Sequence, residues 1–410
     1  MLSKSERSLR TDALLHRVWQ VMGRPAGCRV VGGYVRDRLL ERHTKDLDLA
    51  IDGSARSAEA PARRLAAALG VHTHLLGTAP HRVWRIETPE LTIELWPTGG
   101  LKVEDDIRRR DFTINALAWP LPDGPLVDLV GGLEDLSGQR LRAIARSNFE
   151  ADPVRLVRAP RFLSQLPGFE IDGETRGWIT ELGPRLADAP RERVGRELMA
   201  LLAAPAAARG LQALTDLGLL RPSAPRRSAV DELWLERNLG AIDILNSGSR
   251  TGKPPSSQTA DIARLGFLFR AWGLPEDREI APYAWPKEVR DRARRAARRI
   301  DDAVDVVSAS PADRRELMWR AGDAFPALFA LARSIAPDRT GWRRWKRQWQ
   351  RNPESLMRPK PLFTGDEISS IAGIPPGPDL GELVDRLLRA QVRGEVRTRG
   401  GAVAWLCRRC

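Results

Sequence analysis

The stretch 31-VGGYVRDRLLERHTKDLDLAID-52 sets a glycine pair, a short run of helical character and two aspartates one residue apart in close succession. With 28-CRVV-31 before it, the pattern predicts a strand, a turn, a helix from about Val35 to Leu40, and a second strand over 46-DLDLAI-51. Strand side chains alternate faces, so Asp46 and Asp48 point the same way. Adjacent carboxylates repel unless a cation lies between them. Mg²⁺ prefers hard oxygen ligands and keeps places for phosphate oxygens. Two such ions, about 4 Å apart, would stabilise both the attacking and the leaving oxygen of an in-line displacement. Taken alone, the aspartate pair equally fits an exposed strand with alternating acids. Gly32 and Gly33 fall where the first strand turns into the helix, and bared N–H groups there suit phosphate. A glycine pair alone equally fits a plain turn.

Working outward, 82-RVWRIE-87 and 91-LTIEL-95 read as hairpin-like strands, and Glu94 is a natural third carboxylate from a neighbouring strand. Residues 8–23 read as an amphipathic helix with Leu9, Leu14, Leu15, Val18 and Val21 on one side, and 58–70 as another helix. These elements predict a mixed α/β head of roughly 145 residues. From 149 onward the pattern turns almost wholly helical, as in 154-VRLVRAPRFLSQL-166, 191-RERVGRELMALLAA-204 and 287-KEVRDRARRAARRIDDAVDVV-307. The Pro- and Ser-rich stretches 221-RPSAPRRSA-229 and 247-SGSRTGKPPSSQ-258 read as loops. The fold class expected is α+β, a mixed head followed by helical domains.

The formal charge is +13 over 410 residues, which favours a polyanionic partner and more than one packed unit. The sparse cysteines Cys28, Cys407 and Cys410 fit a reducing, cytoplasmic setting, and 407-CRRC-410 lacks the second pair that a zinc site needs. No apolar leader opens the chain, and the run 198-LMALLAAPAAA-208 is too short to span a bilayer, so no membrane partner is expected. His16, His43, His72, His74 and His81 all lie in the head. His72 and His74 share a strand face, where ordinary surface use competes with metal ligation.

At this point the sequence resembles the class II tRNA nucleotidyltransferases, the family of CCA-adding enzymes and bacterial poly(A) polymerases. Its GGxVRDxLL…DxD opening is matched by Gly32 to Leu40 followed by Asp46-Leu47-Asp48. Four further motifs follow in order: 109-RRDFTINALA-118, the hinge-like 128-DLVGGLEDL-136, the base-recognising 150-EADPVRLVRAPRF-162 and 192-ERVGRE-197. The segment 364-TGDEISSIAGIPPGPDLGELVDRLL-388 is similar to the tail of many members. The resemblance implies a polymerase-β-like nucleotidyltransferase head over 1–147, a base-recognising neck over 148–222, an RNA-binding body over 223–355 and a tail over 356–410. The last would meet the acceptor and T arms of tRNA, recognised by shape. Some relatives carry a phosphohydrolase domain built on His and Asp; without a histidine after residue 81, no such domain can function here.

The resemblance assigns Asp46 and Asp48 to Mg²⁺, in a two-metal site, with Glu94 assisting catalysis. It assigns Gly32, Gly33, Arg36, Arg109, Arg110, Asp111, Asn115, Asp152, Arg155, Arg158, Arg193 and Arg196 to the nucleotide. Arg109 and Arg110 suit phosphate oxygens, and Asp111 would meet the sugar hydroxyls. Asn115 is expected to tie backbone. Asp152 and Arg155, three apart near the N1-type Pro153, share one helix face. Asp accepts and Arg donates, which matches the pairing edges of C and A and not those of U and G. By spacing alone the pair also fits an i,i+3 salt bridge. A Glu commonly precedes this Asp in the family; here Ala151 does, with Glu150 one place earlier.

Two basic segments, 287–299 and 342-WRRWKRQWQR-351, are candidates to hold tRNA phosphates. In the second, Trp342, Trp345 and Trp349 form a helical stripe suited to the core, with the arginines facing out. In 376-PGPDLG-381 a Gly–Pro turn opens a helix at a phosphate-friendly end. Between Glu94 and Arg109 lie only the 14 residues 95-LWPTGGLKVEDDIR-108, where CCA-adding relatives carry a longer flexible loop. That loop adapts the pocket from CTP to ATP, and relatives adding only two cytidines lack it. The expected activity is therefore addition of CC to tRNA from CTP. The full CCA, with ATP as well, a poly(A) polymerase, and a non-catalytic RNA-binding protein are the alternatives. DNA is not expected as a partner.

Overall fold

The computed structural model describes residues 7, 9–54, 56–77, 82–100, 102–248 and 254–408. His81, Cys410 and residues 249–253 of the expected loop lie outside them. The chain divides into two compact units, Met1–Ala159 with Gly168–Pro184, and Pro160–Pro167 with Arg185–Cys410.

The first unit is built on a seven-stranded sheet. Its strands are β1 (Cys28–Val31), β2 (Asp46–Ile51), β3 (Thr73–Leu76), β4 (Val83–Glu87), β5 (Thr92–Pro97), β6 (Leu117–Pro120) and β7 (Val127–Asp128), in the order β3-β4-β5-β2-β1-β6-β7. β2 and β5 are parallel and the other neighbours antiparallel. A mixed sheet of this kind has two apolar faces to cover. The helices Ala13–Val21 and Glu59–Leu69 pack on one of them, contributing Leu15, Val18, Ala62 and Leu65 to a core shared with Val30, Leu47, Leu49 and Trp119. A smaller cluster of Val31, Ala50, Ile107, Ala116 and Ala118 gathers separately from that core.

One expectation needs correction here. The first helix begins anew at Ala13, because the Asp12 carboxylate accepts the Leu14 N–H at 3.0 Å and is itself fixed by the Tyr34 hydroxyl at 2.8 Å. That restart turns Leu14 outward, where it is exposed. From 149 onward the described elements are almost wholly helical, as expected; the exception is the two-residue β9 (Glu170–Ile171), which pairs in parallel with β8 (Arg140–Leu141).

In the second unit the described residues outside the loops are helical. The expected helix over 287–307 is two helices, Lys287–Ala297 and Ile300–Val306, with Arg299 between them outside helical geometry. Trp342 and Trp345 are buried against Phe325 and Phe329, with ring centroids of Phe325 and Trp345 5.3 Å apart, as the stripe predicted. The tail gathers its own core from Ile368, Leu380, Leu383, Leu387, Trp405 and Leu406. It is tied to the Pro311–Ala321 helix by the buried Glu316, which pairs with Arg389 and Arg393 at 2.7 Å each.

Candidate active site

The parallel pairing of β2 with β5 sets Asp46 opposite Thr92 and Asp48 opposite Glu94. The three carboxylates therefore stand on one side of two adjacent strands. Asp46 is exposed and Asp48 half-buried. Burial and the neighbouring Glu94 push the Asp48 carboxyl up to about 7, with Asp46 adding to the effect against the pull of Arg110 and Arg36. Crowded carboxylates held in this way suit a divalent cation. Glu94 is engaged on its other side: Arg85 donates from Nε to Glu94 Oε1 at 2.8 Å. Among the described residues no three His, Cys, Asp or Glu side chains form a ready metal cluster. The donor set that fits a cation is thus the aspartate pair, with Glu94 held beside it by Arg85.

Gly32 has φ +73°, and a Cβ built there would lie 3.0 Å from Arg110 Nη1 and 3.6 Å from Asp48 Oδ2. Only glycine lets the turn run so close to the acidic pair. At Gly33, φ is ordinary and a Cβ would meet only Arg36 Nη2, at 3.6 Å. A side chain at Gly33 would therefore find open space, bounded within 4 Å only by Arg36. The helix that follows is Gly33–Leu39, so it opens on the glycine pair itself, ahead of the expected start near Val35.

From Arg110 a chain of contacts runs to the segment 150–162. Arg110 pairs with Asp106 at 2.9 Å and lies 3.4 Å from the Asn115 carbonyl. Asn115 ties side chains where backbone was expected: its Oδ1 accepts from Arg36 Nη1 at 2.7 Å, and its Nδ2 donates to Asp111 Oδ1 at 3.1 Å. Asp111 is buried, accepts the Phe112 N–H at 2.8 Å and pairs with Arg158 at 3.0 Å. Arg36, too, is buried and held by Asn115 and by Asp37. Arg109 is exposed, and its carbonyl accepts from Arg155 Nη1 at 2.6 Å.

Asp152 lies between the helices Arg146–Ala151 and Arg155–Gln165, and its carbonyl accepts the Arg155 N–H at 3.0 Å. Asp152 Oδ2 and Arg155 Nε are 3.6 Å apart, so the i,i+3 pair is formed. Glu150 turns instead to Arg146, at 2.9 Å. Gly32, Gly33, Arg36, Asp46, Asp48, Glu94, Arg110, Asp111, Asn115, Asp152, Arg155 and Arg158 all fall in the first unit; Arg193 and Arg196 fall in the second, on the helix Arg191–Leu202.

Several residues that position this site were missed. The hinge-like segment is a brace for 109–118: Asp128 accepts the N–H groups of Gly132 and Leu133 at 2.9 Å each, and the buried Asp135 accepts from Thr113 at 2.7 Å. A Cβ at Gly132 would strike the Thr113 carbonyl. The Asn148 amide donates to the carbonyls of Arg108 and Arg110 at 2.8 Å each. Arg85 was readable in principle, because a hairpin closed through residues 88–91 puts 85 opposite 94.

A mixed sheet carrying paired carboxylates beside a glycine turn, backed by arginines, defines a nucleotidyltransferase head. Residues 28–142 match the Poly A polymerase head domain family, and 168–229 the family described as the probable RNA and SrmB-binding site of polymerase A. The A-adding tRNA nucleotidyltransferase of Deinococcus radiodurans is 30% identical, covering 94% of this chain and 96% of its own. The CC-adding tRNA nucleotidyltransferase of Thermus thermophilus is 31% identical over 92% of each. A crystal structure of the Bacillus stearothermophilus CCA-adding enzyme in complex with CTP shares the fold, with a TM-score of 0.68 and 24% identity over 100% of this chain and 98% of that one. The chain belongs to the tRNA nucleotidyltransferase family and is an enzyme of that class. No helix among the described residues is long and apolar enough to cross a membrane.

Proposed function

We propose that this enzyme adds the two cytidines of the tRNA 3′ terminus from CTP and leaves the final adenosine to another enzyme. In this reading the tRNA 3′-hydroxyl attacks the α-phosphate of CTP, and pyrophosphate leaves. Mg²⁺ held by Asp46 and Asp48 would supply the Lewis acidity that such a displacement needs. Glu94, steadied by Arg85, keeps a third negative charge beside them. Arg109 and Arg110 meet the triphosphate, and the open space at Gly33 gives it room. Asp111, expected at the sugar, is buried and bonded to Asn115 and Arg158, and steadies the arginine segment instead. Asp152 and Arg155 read the base, with Arg158 bracing Asp111 beside them. The helical segments 223–355 and 356–410 hold the tRNA.

The observation that carries the CC assignment is the connection from β5 to Arg109. It contains the six-residue helix Val103–Arg108, whose Asp106 pairs with Arg110. A connection this short and this tied leaves little chain to reshape a pocket from CTP to ATP. Identity does not separate the subtypes, since the A-adding and CC-adding relatives stand at 30% and 31%. A-only addition is the second reading, favoured by the first of these. The test is to incubate the protein with Mg²⁺ and tRNA lacking its terminus, or ending in CC, with CTP and ATP singly and together. Sequencing of the 3′ ends is expected to show CC from CTP and nothing added from ATP. Addition of A to the CC-ending tRNA would overturn the assignment.

A further inference from the structure

The second unit contains a cavity that the proposed chemistry does not use. It has a volume of about 380 Å³ and lies between the helices Phe325–Ile335 and Trp342–Arg351 and the start of Ser257–Ala271. That volume is at the small end of the range for ligand cavities, about 300–1,000 Å³. Phe329, Trp349 and Pro255 give it an apolar aromatic wall, and Arg333 and Lys346 give it two cations.

The third tryptophan of the stripe behaves differently from the other two. Trp342 and Trp345 are buried, while Trp349 packs one side on Phe325, with centroids 4.5 Å apart, and stays partly exposed on the cavity. Among the described residues no carboxylate pairs with Arg333 or Lys346, and none faces the cavity from the elements that line it. The neighbouring Arg343, Arg344 and Arg347 are exposed as well. The contrast with the Lys287–Ala297 helix is sharp: there Arg290 pairs with Asp277, Arg292 and Arg295 with Asp323, and Arg294 with Glu276. Positive charge is therefore neutralised on that helix and left open around the cavity.

An aromatic face beside unpaired cations is the arrangement that takes a base by stacking and its phosphate by charge. We infer that the Trp349 cavity binds one nucleotide of the RNA strand, its base against the Trp349–Phe329 wall and its phosphate between Arg333 and Lys346. This rests on the reading that the enzyme holds tRNA and names a point of that grip. A strand is favoured over a free nucleotide because the exposed arginines continue past the cavity, as they would along a phosphate backbone.

The test is equilibrium binding of tRNA lacking its terminus to the full-length protein, without nucleotide, at several salt concentrations. Arg333→Gln with Lys346→Gln is expected to weaken binding about tenfold and to lower the slope of log Kd against log salt by about 0.7–0.9 for each phosphate that is no longer neutralised. Trp349→Leu is expected to weaken binding about tenfold, and Trp349→Phe to restore most of it, since stacking needs only an aromatic face. Melting curves identify any variant weakened by poorer packing on Phe325. Unchanged affinity and salt slope in the Arg333/Lys346 pair would overturn the inference. So would CMP at millimolar concentration relieving the effect of these residues by occupying the cavity, since the ligand would then be a free nucleotide. If the unaltered protein did not bind tRNA in the same titration and did not extend it in the CTP assay above, the proposed function would fail instead.

Discussion

Arg158 donates from Nη1 to Asp111 Oδ2 at 3.0 Å, and this bond fastens the helix Arg155–Gln165 to the 109–111 arginine segment. Burial alone would push the Asp111 carboxyl up; Arg158, the Phe112 N–H and Asn115 together outweigh it and hold the carboxyl below its usual range. A depressed folded-state pKa contributes stability above the unfolded value of about 4, and that contribution is lost as pH falls through the folded value. Asp111→Asn is therefore expected to cost about 1–3 kcal/mol at neutral pH. The gap between variant and parent should narrow as pH falls below about 4, towards the lower folded value. Denaturant titrations at pH 7, 4 and 3 check this. A gap that stays constant over that range would mean that the charge of Asp111 contributes nothing.

The two glycines of the turn should respond differently. At Gly32, with φ +73°, a Cβ would press on Arg110 Nη1 at 3.0 Å, so Gly32→Ala carries backbone strain of about 1–3 kcal/mol and displaces Arg110, the proposed phosphate ligand. At Gly33 the backbone is unstrained and the space open. Gly33→Ala should fold as stably as the parent, while its KM for CTP rises. Melting temperatures and steady-state kinetics of the two variants separate these outcomes. Equal loss of stability in both would contradict the assignment of Gly33 to the ligand.

Asp48 trades stability for function. It stands opposite Glu94 and two residues from Asp46, and Arg110 and Arg36 only partly offset that crowding. Asp48→Asn removes like-charge repulsion. Without divalent ions it should raise Tm, by about 2–4 °C for each kcal/mol of repulsion relieved. The same variant should lose about 10²–10³-fold in nucleotide addition. Chelation of divalent ions by EDTA should stop addition by the parent and leave its binding of tRNA in place. Calorimetry and a primer-extension assay on tRNA decide both halves. A variant that is active, or destabilised, would count against the aspartate pair as the cation site.

The parts of the site that were legible in the sequence are those encoded over short distances. The glycine turn and the strand alternation of Asp46 and Asp48 each follow from local geometry. Asp152 and Arg155 do pair, at 3.6 Å, but not along one helix face as expected, because Asp152 has φ −143° and lies between two helices. Arg85 was passed over because its partner depends on hairpin register, which is set by loop length and not by the strand residues themselves. The link from Arg36 to Asn115 spans 79 residues and needs the sheet to be assembled before it can be seen. Leu14 was misplaced because the helix restarts at Asp12, which changes the phase of everything counted from Leu9. The break at Arg299 has no Gly or Pro to announce it, so a continuous charge pattern read as one helix. The arginines of 287–299 looked like a phosphate grip because a sequence does not show that Asp277, Glu276 and Asp323 fold back to meet them.

The strictest test falls on the Asp152–Arg155 pair. The two side chains lie 3.6 Å apart and Arg155 also donates to the Arg109 carbonyl, so they carry different loads. In the proposed reading, Asp152 accepts from the exocyclic amine of cytosine. An amide in its place can donate as well as accept, which suits the carbonyl of uracil. Asp152→Asn should therefore narrow the preference for CTP over UTP by about 10–100-fold, the effect of one buried polar group changing partner at about 1–3 kcal/mol. Its melting temperature should stay near that of the parent, since Asp152 joins two helices through backbone bonds that the change leaves intact. Arg155→Ala should instead lower kcat/KM for both nucleotides, because it frees the loop that carries Arg109. Measuring kcat/KM for CTP and UTP in the parent and both variants gives the answer. If Asp152→Asn lowered both activities in proportion, the pair would be a structural salt bridge, and selection of the base would have to lie elsewhere.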